Sequence, residues 1–168
     1  GRITDMLWKK TGALYEFSGR AGAMLGLNTC NQNHTLVKAL SGFMSNCGMA
    51  FQLHDDILGI TGNEKKLGKP VGSDIREGKR TVIVYHALKN AGSGERRQLS
   101  GILGSRDITL KEIRKAVNLL IDLGGVERAR SLAGIYLNQA KRHLSSVPPS
   151  DYRELLLKLA DYLIEREN

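Results

Sequence analysis

Hydrophobic and polar positions follow a helical period along nearly the whole chain. Leu7, Leu14, Phe17, Ala21 and Met24 recur at helix spacing and predict one amphipathic helix from Met6 to Leu25. Gly26 supplies a stop, and Asn28 to Asn33 reads as a loop. A second long helix is predicted from His34 to Ile60, with Phe43, Cys47, Ala50, Phe51, His54, Ile57 and Leu58 on one broad face. The stretch from Thr61 to Gly78 is rich in Gly, Lys and Asp, contains Pro70, and reads as an ordered loop of the length that usually carries function. Helical spacing resumes from Lys79 to Asn90. Its run Thr81-Val82-Ile83-Val84-Tyr85 is β-branched enough for a strand, but nothing elsewhere in the sequence offers a partner strand. Shorter helices are predicted over Glu95–Leu103 and Leu110–Leu123. Thr109 stands at the N-cap of the latter, Glu112 at its capping-box position, and Gly124-Gly125 at its end. Val126 to Leu144 forms another, ending before Pro148-Pro149, and Ser150 or Asp151 caps a last helix reaching Arg166. No internal repeat or linker interrupts the pattern. The expected fold class is therefore all-α: a bundle of about six or seven helices, with residues 1–168 in one helical domain without an internal boundary.

Composition narrows the function classes. The chain has 168 residues, 41% of them hydrophobic, enough for one sizeable core. No apolar run approaches the roughly 18 residues of a membrane span. Cys30 and Cys47 have neither the number nor the spacing of a disulfide framework or zinc site, which fits a reducing, cytoplasmic setting. The formal net charge is +8, which points to an anionic partner. Only 5% of residues are aromatic, which weighs against base stacking, so nucleic acid is not the expected partner.

Three segments carry candidate chemistry. On a helix advancing about 100° per residue, Gly48, Gln52, Asp55, Asp56 and Gly59 share one narrow stripe. Two adjacent carboxylates repel unless a cation answers them, and their hard oxygens suit Mg2+; a solvated helix face is the plainer alternative. Lys10 falls on the line of Leu7, Leu14 and Phe17, a seam expected to face the core. A lysine there either snorkels outward or meets a buried anion. Gly62 to Thr81 interleaves Lys65, Lys66, Lys69, Arg76, Lys79 and Arg80 with glycines. Such a loop can be a phosphate-binding flap or a solvated basic segment, and it does not match the Walker A pattern. The histidines at 34, 54, 86 and 143 show no metal spacing; His54 reads as a core or supporting residue, and Arg96-Arg97 as surface.

Together these residues carry a resemblance. FQLHDDILG followed by GKPVGSDIREGKRT resembles the second aspartate-rich region of trans-isoprenyl diphosphate synthases, in wording close to archaeal and bacterial geranylgeranyl and farnesyl diphosphate synthases. WKKTGALYEFSGRAGAML resembles the family's lysine–threonine helix, and DYRELLLKLADYLIEREN its last helix. The resemblance covers nearly the whole chain in order. It implies an isoprenoid-synthase-type bundle and a Mg2+-dependent prenyltransferase, usually homodimeric, that condenses an allylic diphosphate with isopentenyl diphosphate. Lys10, Lys69 and Lys79 are then implied to bind diphosphate, and Thr11 and Gln52 to face the developing allylic cation. Asp55 and Asp56 are implied to hold the metal, and Asp74 to match a loop aspartate of the same region. Two departures stand out. Gly59 occupies the place of the last aspartate in the family's DDxxD, and no second Asp-Asp pair exists in the sequence to serve as the first aspartate-rich motif. The chain therefore resembles the C-terminal half of such a synthase. An alternative is a non-catalytic subunit that modulates a partner synthase, against which the retained Lys10, Thr11, Gln52, Lys69 and Lys79 weigh.

Overall fold

The computed structural model describes residues 2–62, 72–105 and 107–165. Its helices are α1 (Arg2–Leu7), α2 (Ala13–Gly26), α3 (Thr35–Thr61), α4 (Ser73–Arg76), α5 (Val82–Asn90), α6 (Ser93–Ile102), α7 (Leu110–Asp122), α8 (Gly125–His143) and α9 (Asp151–Glu165). No strand occurs among the described residues. The molecule is all-α, as the periodicity predicts.

The chain divides into two compact units. One holds the described residues up to Gln52 together with those from Leu132 onward, the other those from Leu53 to Ser131. In the first, Phe43, Cys47 and Ala50 of α3 pack with Leu137 and Ala140 of α8, Leu144 just beyond it, and Ala160 and Leu163 of α9. The small members of this cluster let the helix backbones draw together around Phe43 and the leucines. Lys141 on α8 pairs with Asp161 on α9 at its edge. Ser150, rather than Asp151, caps α9: its Oγ accepts the Arg153 N–H at 3.2 Å.

The helix expected from Met6 to Leu25 is interrupted. Trp8–Gly12 forms a π-helical turn between α1 and α2. The extra residue it accommodates takes Leu7 off the line of Leu14 and Phe17. Leu7 is 1% exposed, whereas Leu14 is 71%, Phe17 65% and Leu25 82% exposed. The seam expected to face the core does not. Gly19 lets α2 come close to the α3 backbone instead: a Cβ on Gly19 would lie 2.4 Å from the Leu40 carbonyl oxygen.

In the second unit, α5 holds the β-branched run in a helix. Thr81 is its N-cap, with Oγ1 accepting the Val84 N–H at 3.4 Å, so the helix starts at Val82 rather than at Lys79. Val82, Ile83, Val84 and Ala87 are buried. The capping box at α7 forms as its sequence predicts: the Thr109 N–H donates to Glu112 at 2.8 Å, and the Glu112 N–H to Thr109 at 3.3 Å. Gly124, at φ 74°, turns the chain from α7 into α8. Arg96 and Arg97 are exposed, as expected, and Arg96 also donates to the Leu88 and Ala91 carbonyls at the end of α5. The stretch expected as a loop contains the short helix α4, entered through Gly72 at φ 82°.

Candidate functional site

The first unit contains Lys10, Thr11 and Gln52. The π-turn is defined by the Ala13 N–H reaching back to the Trp8 carbonyl, and it carries both Lys10 and Thr11. Thr11 Oγ1 donates to Gln52 Oε1 at 2.7 Å. This contact depends on the closeness of the two helices. A Cβ on Gly48 would lie 2.9 Å from the Tyr15 side chain and 3.0 Å from the Gly12 Cα. Gly48 is therefore bare because a neighbouring backbone passes over it. Tyr15 also packs against Phe51, ring centres 5.6 Å apart, and closes the same flank. Lys10 is exposed, so its ammonium reaches solvent.

The second unit by itself contains Asp55, Asp56, Asp74 and Lys79. Asp55 and Asp56 follow Gln52 along α3, Asp55 exposed and Asp56 buried. Past α3 the chain returns to its end: the Gly72 N–H donates to the Gly59 carbonyl at 3.4 Å. Asp74 then sits against Gly59, its Oδ2 3.0 Å from where a Cβ on Gly59 would be. Gly59 thus leaves room for a carboxylate supplied by another segment. Lys79 Nζ pairs with Asp74 at 2.5 Å and with Glu77 at 3.0 Å. The hydrogen bond to Asp74 raises the Lys79 pKa above its ordinary value, with Glu77 adding and partial burial opposing. Arg76 is occupied elsewhere, donating to the Ile108 carbonyl at 3.0 Å. Lys69, with Lys65 and Lys66, lies outside the described residues.

The donor set suits Mg2+. Asp55, Asp56 and Asp74 offer only hard oxygens. Among the described residues, no group of three or more His, Cys, Asp or Glu could hold a metal by itself. Magnesium needs no such cage, because it is commonly bound by one or two carboxylates with substrate phosphates and water completing its shell.

Sequence reasoning missed two features. The approach of Asp74 to Gly59 is one; its available signal was a glycine standing where a third aspartate is expected. The other is a hydrogen-bonded group beside the π-turn. Trp8 Nε1 donates to Ser45 Oγ at 3.0 Å and to Glu16 Oε2 at 3.2 Å. Its only signal was a lone tryptophan next to Lys-Lys-Thr.

Residues 2–120 match the polyprenyl synthetase family. The chain is 39% identical over 164 residues to a short chain isoprenyl diphosphate synthase of Methanothermobacter thermautotrophicus, covering 98% of this chain and 49% of that protein. It is 36% identical over 163 residues to a geranylgeranyl diphosphate synthase of Methanosarcina mazei, covering 97% and 47% respectively. Among solved structures, the geranylgeranyl pyrophosphate synthetase of Pyrococcus horikoshii aligns with a TM-score of 0.85 at 40% identity, over 96% of this chain and 48% of that one. A polyprenyl synthase of Caulobacter crescentus, solved with calcium and isoprenyl diphosphate, aligns with a TM-score of 0.88 at 32% identity, over 99% and 49%. The chain spans about half the length of the relatives it matches.

Proposed function

We propose, because the chain belongs to the polyprenyl synthetase family, that it supplies the diphosphate-holding and cation-facing residues of a trans-prenyltransferase. The reaction is the extension of an allylic diphosphate by isopentenyl diphosphate. The observation that carries this reading is the 2.7 Å contact between Thr11 Oγ1 and Gln52 Oε1. It brings two oxygen dipoles to one point, where they can stabilise a developing allylic cation electrostatically. Lys10, exposed and adjacent in sequence to Thr11, meets a diphosphate oxygen. Asp55 and Asp56 would hold Mg2+, while Asp74 lies against Gly59 on the same helix. When bound, the metal neutralises charge on the departing diphosphate.

Bond cleavage at the allylic carbon leaves the electron pair on the diphosphate. The isopentenyl alkene then attacks, and a proton is lost. Lys79 takes part by exchanging carboxylate partners for diphosphate oxygens, which moves positive charge toward the leaving group. Lys69 belongs to the same flap by its resemblance. The Caulobacter relative, solved with a divalent cation and isoprenyl diphosphate, supports the ligand classes. The full centre also needs a first aspartate-rich segment, which these residues do not contain. Homodimeric assembly and a cytoplasmic setting belong to the same reading. No helix among the described residues is long and apolar enough to cross a membrane.

Binding of an unreactive allylic thiodiphosphate to the chain, measured calorimetrically with Mg2+ or with EDTA, tests the proposal. Binding should require the metal, and Asp55→Asn or Lys10→Ala should each weaken it about tenfold. Equal binding with and without Mg2+, or none at all, would overturn it.

A further inference from the structure

The π-turn at Trp8–Gly12 is a weak element that needs support. A π-turn is rare, its hydrogen bonds are poorer than those of an α-helix, and it holds one residue more than the α-turn it replaces. Relaxation to α-helix would rotate the preceding residues by about 100° relative to α2. Lys10 and Thr11 would lose their present directions, and Thr11 its contact with Gln52.

Three side chains from three segments meet beside this turn. Trp8 Nε1 donates to Ser45 on α3 and to Glu16 on α2, at 3.0 and 3.2 Å. Ser45 Oγ donates in turn to the same carboxylate oxygen of Glu16, at 3.3 Å. The other Glu16 oxygen pairs with Arg20 one turn along α2. The indole lies back across the π-turn against Gly12, where a Cβ would meet Trp8 Cδ1 at 2.8 Å. The first and last residues of the turn are therefore in register only while Gly12 is bare and the indole is held.

We infer that Trp8, Ser45 and Glu16 tether the π-turn, and that they are positioning residues for Lys10 and Thr11. The inference rests on the prenyltransferase reading for what Lys10 and Thr11 do. The tether itself rests on the geometry above. Its consequence is that diphosphate binding at Lys10 is coupled to the hydrogen bonding of a side chain that touches no substrate.

Trp8 is the chain's only tryptophan, so the tether has its own spectroscopic probe. The experiment titrates inorganic diphosphate with Mg2+ into the chain and into Ser45→Ala, Ser45→Thr and Glu16→Leu, following Trp8 fluorescence. In parallel, NMR follows the indole N–H and the amides of Lys10 to Ala13. In Ser45→Ala and Glu16→Leu, indole exchange should accelerate, the four amides should shift, and the diphosphate midpoint should rise about tenfold. Ser45→Thr, which keeps the hydroxyl, should restore the parent values. If Ser45→Ala frees the indole but leaves the amides and the midpoint unchanged, the inference falls. Should the unsubstituted chain fail to bind diphosphate, the prenyltransferase reading falls instead. The tether is then decided by the Lys10–Ala13 amides alone: shifted amides uphold it, unshifted amides refute it.

Discussion

Helices α2 and α7 each advertise an apolar face in their sequence, and only α7 buries it. In α7 the inward positions are Ile113, Ala116 and Leu120, all within 2% of complete burial. In α2 the large apolar residues Leu14, Phe17 and Leu25 face outward, while Ala23 is buried and Gly19 lies against the α3 backbone. The difference lies in what each helix must bring together. α7 is placed by side-chain burial, which tolerates ordinary helix spacing. α2 is placed by close backbone approach, because Thr11 must reach Gln52. Glycine permits that approach, and the large residues are left on the opposite side. Contiguous exposed apolar surface of this kind commonly marks a face that another molecule or segment covers.

The strongest way to break the comparison is to damage each helix in its own manner. Leu120→Ala removes a fully buried side chain and should cost about 3 kcal/mol by denaturant unfolding. Gly19→Ala adds a single methyl group against a backbone oxygen that cannot rotate away, and should cost about 2 kcal/mol. At a solvent-facing helix position the same glycine-to-alanine change would stabilise by about 1 kcal/mol. A stabilised Gly19→Ala would show that the two helices are not in backbone contact.

This contrast also explains how far the sequence could be read. The all-α class and most helix limits were legible because burial in α5, α7 and α8 follows period and caps, as at Thr109 and Glu112. The stripe of Gln52, Asp55 and Asp56 was legible because it lies within one helix. What could not be read depended on contacts between segments or on a change of helical winding. The π-turn leaves no compositional mark, so regular helix spacing puts Lys10 on a seam of Leu7, Leu14 and Phe17 of which only Leu7 is buried. Ser45 looks like any helical serine until Trp8 reaches it. Gly48 and Gly59 stood out as bare positions beside the carboxylates, but their separate causes required coordinates: Tyr15 and Gly12 over one, Asp74 over the other.

A smaller effect comes from the ion pair of Lys79 with Asp74. The Lys79 pKa is raised above 10.5, chiefly by its hydrogen bond to Asp74. A cationic group raised in this way contributes stability fully below about pH 10.5, and the contribution is lost as pH rises through the folded-state value. The Lys79 side chain is 42% exposed, so solvent screening limits the contribution to about 0.5 kcal/mol. Asp74→Asn should therefore lower unfolding free energy by about that amount at pH 7 and flatten the decline above pH 10.5. An unaltered alkaline profile would show that the ion pair does not persist in solution.

The smallest effect is also the one that tests what the exposed face of α2 is for. Leu14→Ser with Phe17→Ser removes two large apolar side chains, which in a core would cost several kcal/mol. Here both are mainly solvent-exposed, so the double variant should unfold within about 0.5 kcal/mol of the parent chain. The measurement should be made at two protein concentrations. If copies of the chain cover this face in solution, the parent midpoint will rise with concentration by mass action, while that of the variant will not. A parent midpoint independent of concentration, together with an unchanged variant, would place the apolar face in water in the isolated chain. A large loss in the variant at both concentrations would require the face to be covered within a single molecule, and the contrast between α2 and α7 would disappear.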